Sequence, residues 1–144
     1  MAGIVFDSSV IIAYKLTNFP AGFLMSSVVL QELITGAADK SEVQIWLTAR
    51  RFYEKEKRLL VPNGEDWCEA GRILNAMLRG LKSKAGGRTP KLQDSEKQSI
   101  IRDVLIARTV KRASALLVTD NVKDFQRIKR FCSIRLMRGD EYFK

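Results

Sequence analysis

The stretch Gly3-Ile4-Val5-Phe6-Asp7-Ser8-Ser9-Val10-Ile11 decides the fold. A short apolar run stops at Asp-Ser-Ser, residues that favour helix N-caps, and an apolar run follows. The segment reads as a buried strand over 3–6 passing straight into a short helix over 10–15. The same grammar returns near the other end. Ala115-Leu116-Leu117-Val118 is a short apolar strand, Thr119-Asp120-Asn121 is polar punctuation, and a helix runs from Asn121 to about Lys129. Between these ends the spacing predicts a thin strand over 22–25 and a helix from Ser26 or Ser27 to Gly36. An amphipathic helix over 41–56, a strand over 58–61 closed by Pro62, and a helix over 65–81 come next. A long helix runs from Asp94 or Ser95 to Arg112, and a last strand spans 133–136. The polar tail 138–144 is left without an element. Strands that alternate with helices, and are apolar throughout rather than at every second residue, predict a parallel sheet covered on both faces. The expected class is α/β, a three-layer α/β/α sandwich around a mainly parallel sheet, as a single domain over 1–144.

Composition narrows the chemistry. The 144 residues carry 25 Lys and Arg against 16 Asp and Glu, a formal charge of +9. Such an excess favours a polyanion, nucleic acid first and an anionic membrane surface second. There is no histidine. Ser-His-Asp and Cys-His catalysis and His-ligated zinc are thereby excluded within this chain. The two cysteines, Cys68 and Cys132, are too few for a disulfide framework, and free buried thiols are expected. No apolar run approaches the ~20 residues of a membrane span. The first residues lack a basic leader, so a cytoplasmic protein is expected.

In a parallel sheet, ligands sit outside the carboxyl ends of the strands. Asp7 follows the first strand and Asp120 follows the Ala115–Val118 strand, so both point from one sheet edge. Glu32 lies among Val28, Val29, Leu33 and Ile34. Asp103 shares a helix face with Ile100 and Ala107. Each acid has an ordinary reading: a helix cap for Asp7, a surface position for Glu32, an ion pair for Asp103, turn and cap roles for Asp120, Asn121 and Asp124. Together they suggest carboxylates converging in one cleft. Such a cluster repels itself unless a cation enters, and an all-oxygen donor set selects Mg²⁺ or Mn²⁺. One metal or a pair would serve to activate water and steady a phosphoryl group. The segment 79–91 carries Arg79, Lys82, Lys84, Arg88 and Lys91, three glycines and no acid. It reads as a basic loop, either solvated or contacting nucleic acid. A second basic group, Arg50, Arg51, Lys55, Lys57 and Arg58, reads as a solvated helix end.

Four motifs carry a resemblance over residues 3 to about 136. They are Val5-Phe6-Asp7-Ser8-Ser9-Val10-Ile11-Ile12, Ser27-Val28-Val29-Leu30-Gln31-Glu32-Leu33, Asp103-Val104-Leu105-Ile106-Ala107 and Leu117-Val118-Thr119-Asp120-Asn121-Val122-Lys123-Asp124-Phe125. In this order they resemble the PIN domain family, specifically the VapC-type toxins of toxin–antitoxin pairs. The interval from Asp7 to Glu32 is shorter than in many members, and 79–91 matches no family motif. The resemblance implies a Mg²⁺- or Mn²⁺-dependent endoribonuclease with Asp7, Glu32 and Asp103 as its first three acids. Asp120 and Asp124 compete for the fourth place. Thr119 matches the hydroxyl beside the site, and Asn121 stands where some members carry an acid. With Lys82, Lys84 and Arg88, Thr119 and Asn121 are the expected contacts to RNA. The resemblance also implies a small antitoxin partner and a homodimer, for which the early helices offer apolar surface. The expected chemistry is in-line attack of an activated water on phosphorus, with a carboxylate taking its proton. Two other readings stay open: a PIN-like module that binds nucleic acid or a partner without useful catalysis, and a DNA structure-specific nuclease.

Overall fold

A computed structural model describes residues 3–87 and 92–144. Strand β1 (Ile4–Phe6) leads into helix α1 (Ser8–Ala13), β2 (Met25–Ser26) into α2 (Ser27–Thr35), and α3 (Lys40–Lys55) into β3 (Leu59–Leu60). Two long helices follow, α4 (Gly64–Lys84) and α5 (Asp94–Arg112). Then come β4 (Leu116–Val118), α6 (Val122–Lys129), β5 (Arg135–Met137) and a short α7 (Gly139–Tyr142).

Among the described residues all strand pairs are parallel. Three strands run β1-β4-β5 and two run β2-β3. A parallel bridge between Ile4 and Phe23 joins the two sets, with Ile4 N–H donating to the Gly22 carbonyl at 3.1 Å and Leu24 N–H to the Ile4 carbonyl at 2.8 Å. The spatial sequence is therefore β3-β2-β1-β4-β5. Successive connections move outward to one side from β1 and later to the other side. The strand order thus reverses between β1 and β4, and a crevice opens at the carboxyl ends of these two strands.

Burial explains why such short strands suffice. Neighbouring residues Val5 and Phe6, and likewise Leu117 and Val118, are all at most 1% exposed. Side chains of consecutive strand residues face opposite ways, so both faces of the sheet are covered. Helix α5 is the central support. Val104, Leu105, Ile106, Ala107 and Val110 are buried almost all round, and the helix packs on α2, α4 and α6. Between β1 and β2, an aromatic cluster forms around Phe6, whose ring lies 5.3 Å from Phe23 and 5.3 Å from Tyr142.

Several expectations are corrected here. The tail is not featureless: α7 folds back so that Tyr142 and Phe143 both pack on Phe6. The basic loop expected over 79–91 is in part helix, because α4 continues to Lys84 before Gly86 and Gly87 take positive φ. Arg88 and Lys91 lie outside the described residues. Arg58 is not merely a solvated helix end. Its Nε donates to the Phe23 carbonyl at 2.8 Å and its guanidinium sits 5.3 Å from the Tyr53 ring centre. Cys132 is buried as expected, but Cys68 is exposed. No helix among the described residues is long and apolar enough to cross a membrane.

One charged group holds the long helices together. Asp66 has no exposed surface. It closes a capping box with Asn63 at the start of α4 and accepts from Arg108 at 2.8 Å and from Arg112, both on α5. Burial alone would raise its pKa. The Arg112 bond, the Asn63 amide and Arg108 outweigh burial and hold it below the usual carboxylate value. Removing one partner of a buried ion pair is costly because the other loses its compensation. Asp66→Ala should therefore lower unfolding free energy by about 3 kcal/mol in urea titrations. A loss under about 0.5 kcal/mol would mean that the clamp is ornamental.

Candidate metal and catalytic site

Asp7 follows β1 and caps α1, as its ordinary reading expected. Its Oδ1 accepts from the Ser8 amide at 2.9 Å. Its Oδ2 accepts from the Thr119 hydroxyl at 2.9 Å, the Ser9 hydroxyl at 3.0 Å and the Asn121 amide nitrogen at 3.4 Å. Asp7 is 3% exposed and Thr119 is fully buried. A single carboxylate thus ties the carboxyl end of β1 to that of β4. Burial raises the Asp7 pKa, and the Thr119, Ser9, Ser8 and Asn121 hydrogen bonds oppose that rise.

Glu32 reaches the same place from α2. Its Oε2 accepts from the Ser8 hydroxyl at 2.8 Å, so Ser8 serves Asp7 through its amide and Glu32 through its side chain. Burial raises the Glu32 pKa, Ser8 lowers it, Asp7 raises it further and Arg102 pulls it back. Asp103 comes from α5. Its pKa is pushed up to about 8, first by burial, then by the charges of Asp7, Asp124 and Glu32, with Arg127 opposing. Asp124, in the first turn of α6, lies 3.9 Å from Arg127.

Asp7, Glu32, Asp103 and Asp124 thus share one electrostatic neighbourhood, built from β1, α2, α5 and α6. Asp120 is exposed and turned elsewhere: its Oδ1 accepts from the Gly139 amide at 3.2 Å, at the start of α7. The close approach needs glycine, since a Cβ at residue 139 would lie 2.6 Å from that oxygen. Of the two competing acids, Asp124 acts on Asp103 through its charge, while the Asp120 carboxylate is engaged by the Gly139 amide. Thr119 is fully buried and spends its hydroxyl on Asp7, while Asn121 is exposed and touches the same carboxylate. Lys82 and Lys84 lie on the exposed last turn of α4 and meet none of the acids in an ion pair; Arg88 is outside the described residues. The sequence reading missed Ser8, Ser9, Arg102 and Arg127. The two serines carried a signal, as hydroxyls directly after a buried acid; the arginines carried none.

The donor set is oxygen only, as hard divalent ions require. Among the described residues, however, no three acids or cysteines stand close enough to form a ready-made metal cage. Like charges in one place repel one another, and burial with the neighbouring carboxylates pushes the Asp103 pKa up. In donor chemistry the residues fit Mg²⁺ or Mn²⁺.

No protein-family model matches the chain, and no curated protein matches it. Solved structures do. A chain of the DNA-bound VapBC from Salmonella typhimurium aligns with TM-score 0.54 at 19% identity, covering 96% of this chain and 99% of that one. A chain of VapBC-1 from nontypeable Haemophilus influenzae aligns with TM-score 0.53 at 20% identity, covering 95% and 98%. A chain of FitAB bound to an IR36 DNA fragment gives TM-score 0.55 at 14% identity, covering 94% of each. At these identities the likeness carries the fold. The chain has the PIN-like α/β/α fold expected from its motifs.

The raised Asp103 pKa gives a signed expectation. Between its unfolded value near 3.8 and its folded value of about 8, the folded state holds a proton that the unfolded state has released. Stability contributed by this group is therefore full below pH 3.8 and falls as pH rises toward 8. Asp103→Asn removes the penalty. Its unfolding free energy should exceed that of the parent by about 2 kcal/mol at pH 8, with the difference shrinking toward pH 4. A difference that is flat or grows on acidification contradicts the shared acidic neighbourhood.

Proposed function

We propose that this protein is a Mg²⁺- or Mn²⁺-dependent endoribonuclease acting as a VapC-like toxin. The observation that carries the reading is the convergence of Asp7, Glu32, Asp103 and Asp124 at the crevice between β1 and β4, where burial raises the pKa of the first three and neighbouring carboxylates push Glu32 and Asp103 up further. A divalent cation would relieve the repulsion among these carboxylates.

Asp7, Glu32, Asp103 and Asp124 would hold the ion, directly or through water. A divalent cation supplies two things to phosphodiester hydrolysis, a water that ionises near neutral pH and positive charge for the phosphoryl oxygens. The chain's own residues do the rest. Ser8, Ser9, Thr119 and Asn121 fix the Asp7 carboxylate so that its lone pairs are pre-aimed. Ser8 fixes Glu32 in step with Asp7. A carboxylate of the cluster would accept the proton of the attacking water. The +9 charge draws the phosphate backbone toward this acidic spot.

The partner in this reading is a small cognate antitoxin. The chains of like fold come from structures named for two-protein complexes, VapBC and FitAB. A groove of about 1010 Å³ between α1 and α3 offers apolar surface, with Ile12, Ile45 and Phe52 each at least half exposed. The homodimer expected from the early helices would compete for that surface.

Single-stranded RNA oligonucleotides should be cut in Mg²⁺ or Mn²⁺ and left intact in EDTA, and matched DNA should survive. Asp7→Asn, or Asp124→Asn, should slow cleavage by about 100-fold or more, whereas Asp120→Asn should stay within a few-fold of the parent. Undiminished cleavage by Asp7→Asn, or cleavage in EDTA, contradicts the assignment. In a thermal scan, Mn²⁺ should raise the melting temperature of the parent, as any ligand of the folded state does, and should raise that of Asp103→Asn less.

A further inference from the structure

Beside the acids, on the α4 side, lies a second cleft of about 560 Å³. It opens where the chain leaves β2 and β3 at their carboxyl ends, the same sheet edge that carries Asp7. Its walls include Gln31 from α2, Pro62 after β3, Trp67 from α4, and Gln98, Ile101 and Arg102 from α5. Two of these adjoin the acids in sequence: Gln31 precedes Glu32, and Arg102 precedes Asp103. Arg102 also adjoins them in space, since its charge acts on Glu32. Among the described residues Arg102 forms no ion pair within 4.0 Å.

Trp67 is the unexplained feature. It is 57% exposed, although α4 has a buried face available to it. Trp67 presents its indole to solvent from an anchored stretch of backbone. It sits in the first turn of α4, its amide donating to the Asn63 carbonyl at 3.2 Å. The preceding residue is Asp66, the buried anchor of the α4–α5 clamp. The same clamp fixes α5, which carries Gln98, Ile101 and Arg102. An exposed aromatic face, two side-chain amides and one guanidinium outside the ion pairs are the groups that recognise an unstacked base and its phosphate: stacking for the ring, amides for the base edge, arginine for the anion.

We propose that this cleft is a nucleobase subsite for single-stranded RNA, seating a nucleotide that flanks the scissile phosphate, with Trp67 as stacking platform and Arg102 as phosphate contact. The proposal rests on the ribonuclease reading and names the part of the substrate that the acids do not touch. It requires a splayed single strand, because a base inside a duplex cannot present its face to an indole.

The test uses the full chain in EDTA, which separates binding from cleavage, with a fluorescein-labelled single-stranded RNA 10-mer and the same sequence as a duplex. Anisotropy should give a dissociation constant for Trp67→Ala about 5- to 100-fold weaker than for the parent, within the range for one base–aromatic stack. Trp67→Phe, which keeps a ring, should recover most of the affinity. The duplex should bind equally to all three. The Mn²⁺-induced rise in melting temperature should be the same in Trp67→Ala as in the parent, which sets this result apart from damage to the acidic site. If Trp67→Ala and Trp67→Phe bind the single strand like the parent while the parent cuts RNA, the subsite is wrong and the nuclease reading stands. If binding depends on Trp67 but no RNA is cut in Mg²⁺ or Mn²⁺, the base subsite stands and the nuclease reading falls. If sedimentation shows instead that Trp67→Ala dissociates a dimer and leaves RNA affinity unchanged, the cleft is an interface between two copies and the proposal is overturned.

Discussion

The hydrogen bonds converging on the Asp7 carboxylate are the constraint from which the rest follows. Serine, threonine and asparagine side chains from two chain segments donate to one buried carboxylate. Asp7 and Thr119 are 112 positions apart in sequence. Their contact defines where β1 and β4 end, and hence where the sheet changes direction. An apolar residue there would leave the buried Thr119 hydroxyl without its acceptor, at a cost of roughly 1–3 kcal/mol. The same carboxylate repels the acids around it. The node thus stabilises the sheet edge while creating an unfavourable charge neighbourhood. That combination is what a functional site looks like when local stability is traded against chemistry.

The remainder of the architecture supports this trade. The strands are only two or three residues long, so ladder hydrogen bonds contribute little. Burial on both sheet faces, the Phe6 aromatic cluster and the fully packed α5 carry the fold. Helix α5 presents Asp103 to the acidic pocket near its middle. It receives the Asp66 clamp near its carboxyl end, where Arg108 and Arg112 lie. The distance between these points, from residue 103 to 108, is about 7.5 Å along the helix axis. Rigidity at the clamp is thereby delivered to the acids and to the cleft beside Trp67. Arginine plays both parts in this region, as half-buried partner of Asp66 in Arg108 and, among the described residues, as a cation without an ion pair within 4.0 Å in Arg102.

Much of this was legible in the sequence. Short, uniformly apolar strands followed by polar caps gave the parallel sheet, and acids at the ends of two strands gave the sheet edge that matters. The errors have physical causes. Helix α7 was missed because its four residues, Gly139–Tyr142, are too few to show periodicity, and Tyr142 and Phe143 are drawn in by Phe6 rather than by helix propensity. The extension of α4 to Lys84 was hidden by Gly80 and by the density of charge, yet lysine and arginine are good helix formers and suit a helix carboxyl end. Asp120 and Asp124 could not be separated by spacing alone. The difference between them is a backbone amide, that of Gly139, which reaches Asp120 only after α7 has folded back. Nothing in the local sequence announces the Asp66 clamp, because its partners lie more than 40 positions away.

The central claim is that four carboxylates from β1, α2, α5 and α6 close around one divalent ion. Anomalous diffraction from crystals grown with Mn²⁺ tests it most directly. The account predicts a peak at the manganese absorption edge in contact with Asp7 and at least one of Glu32, Asp103 and Asp124, directly or through one water. Crystals in which Mn²⁺ is bound elsewhere on the chain, with that pocket empty and its carboxylates still apart, would contradict it.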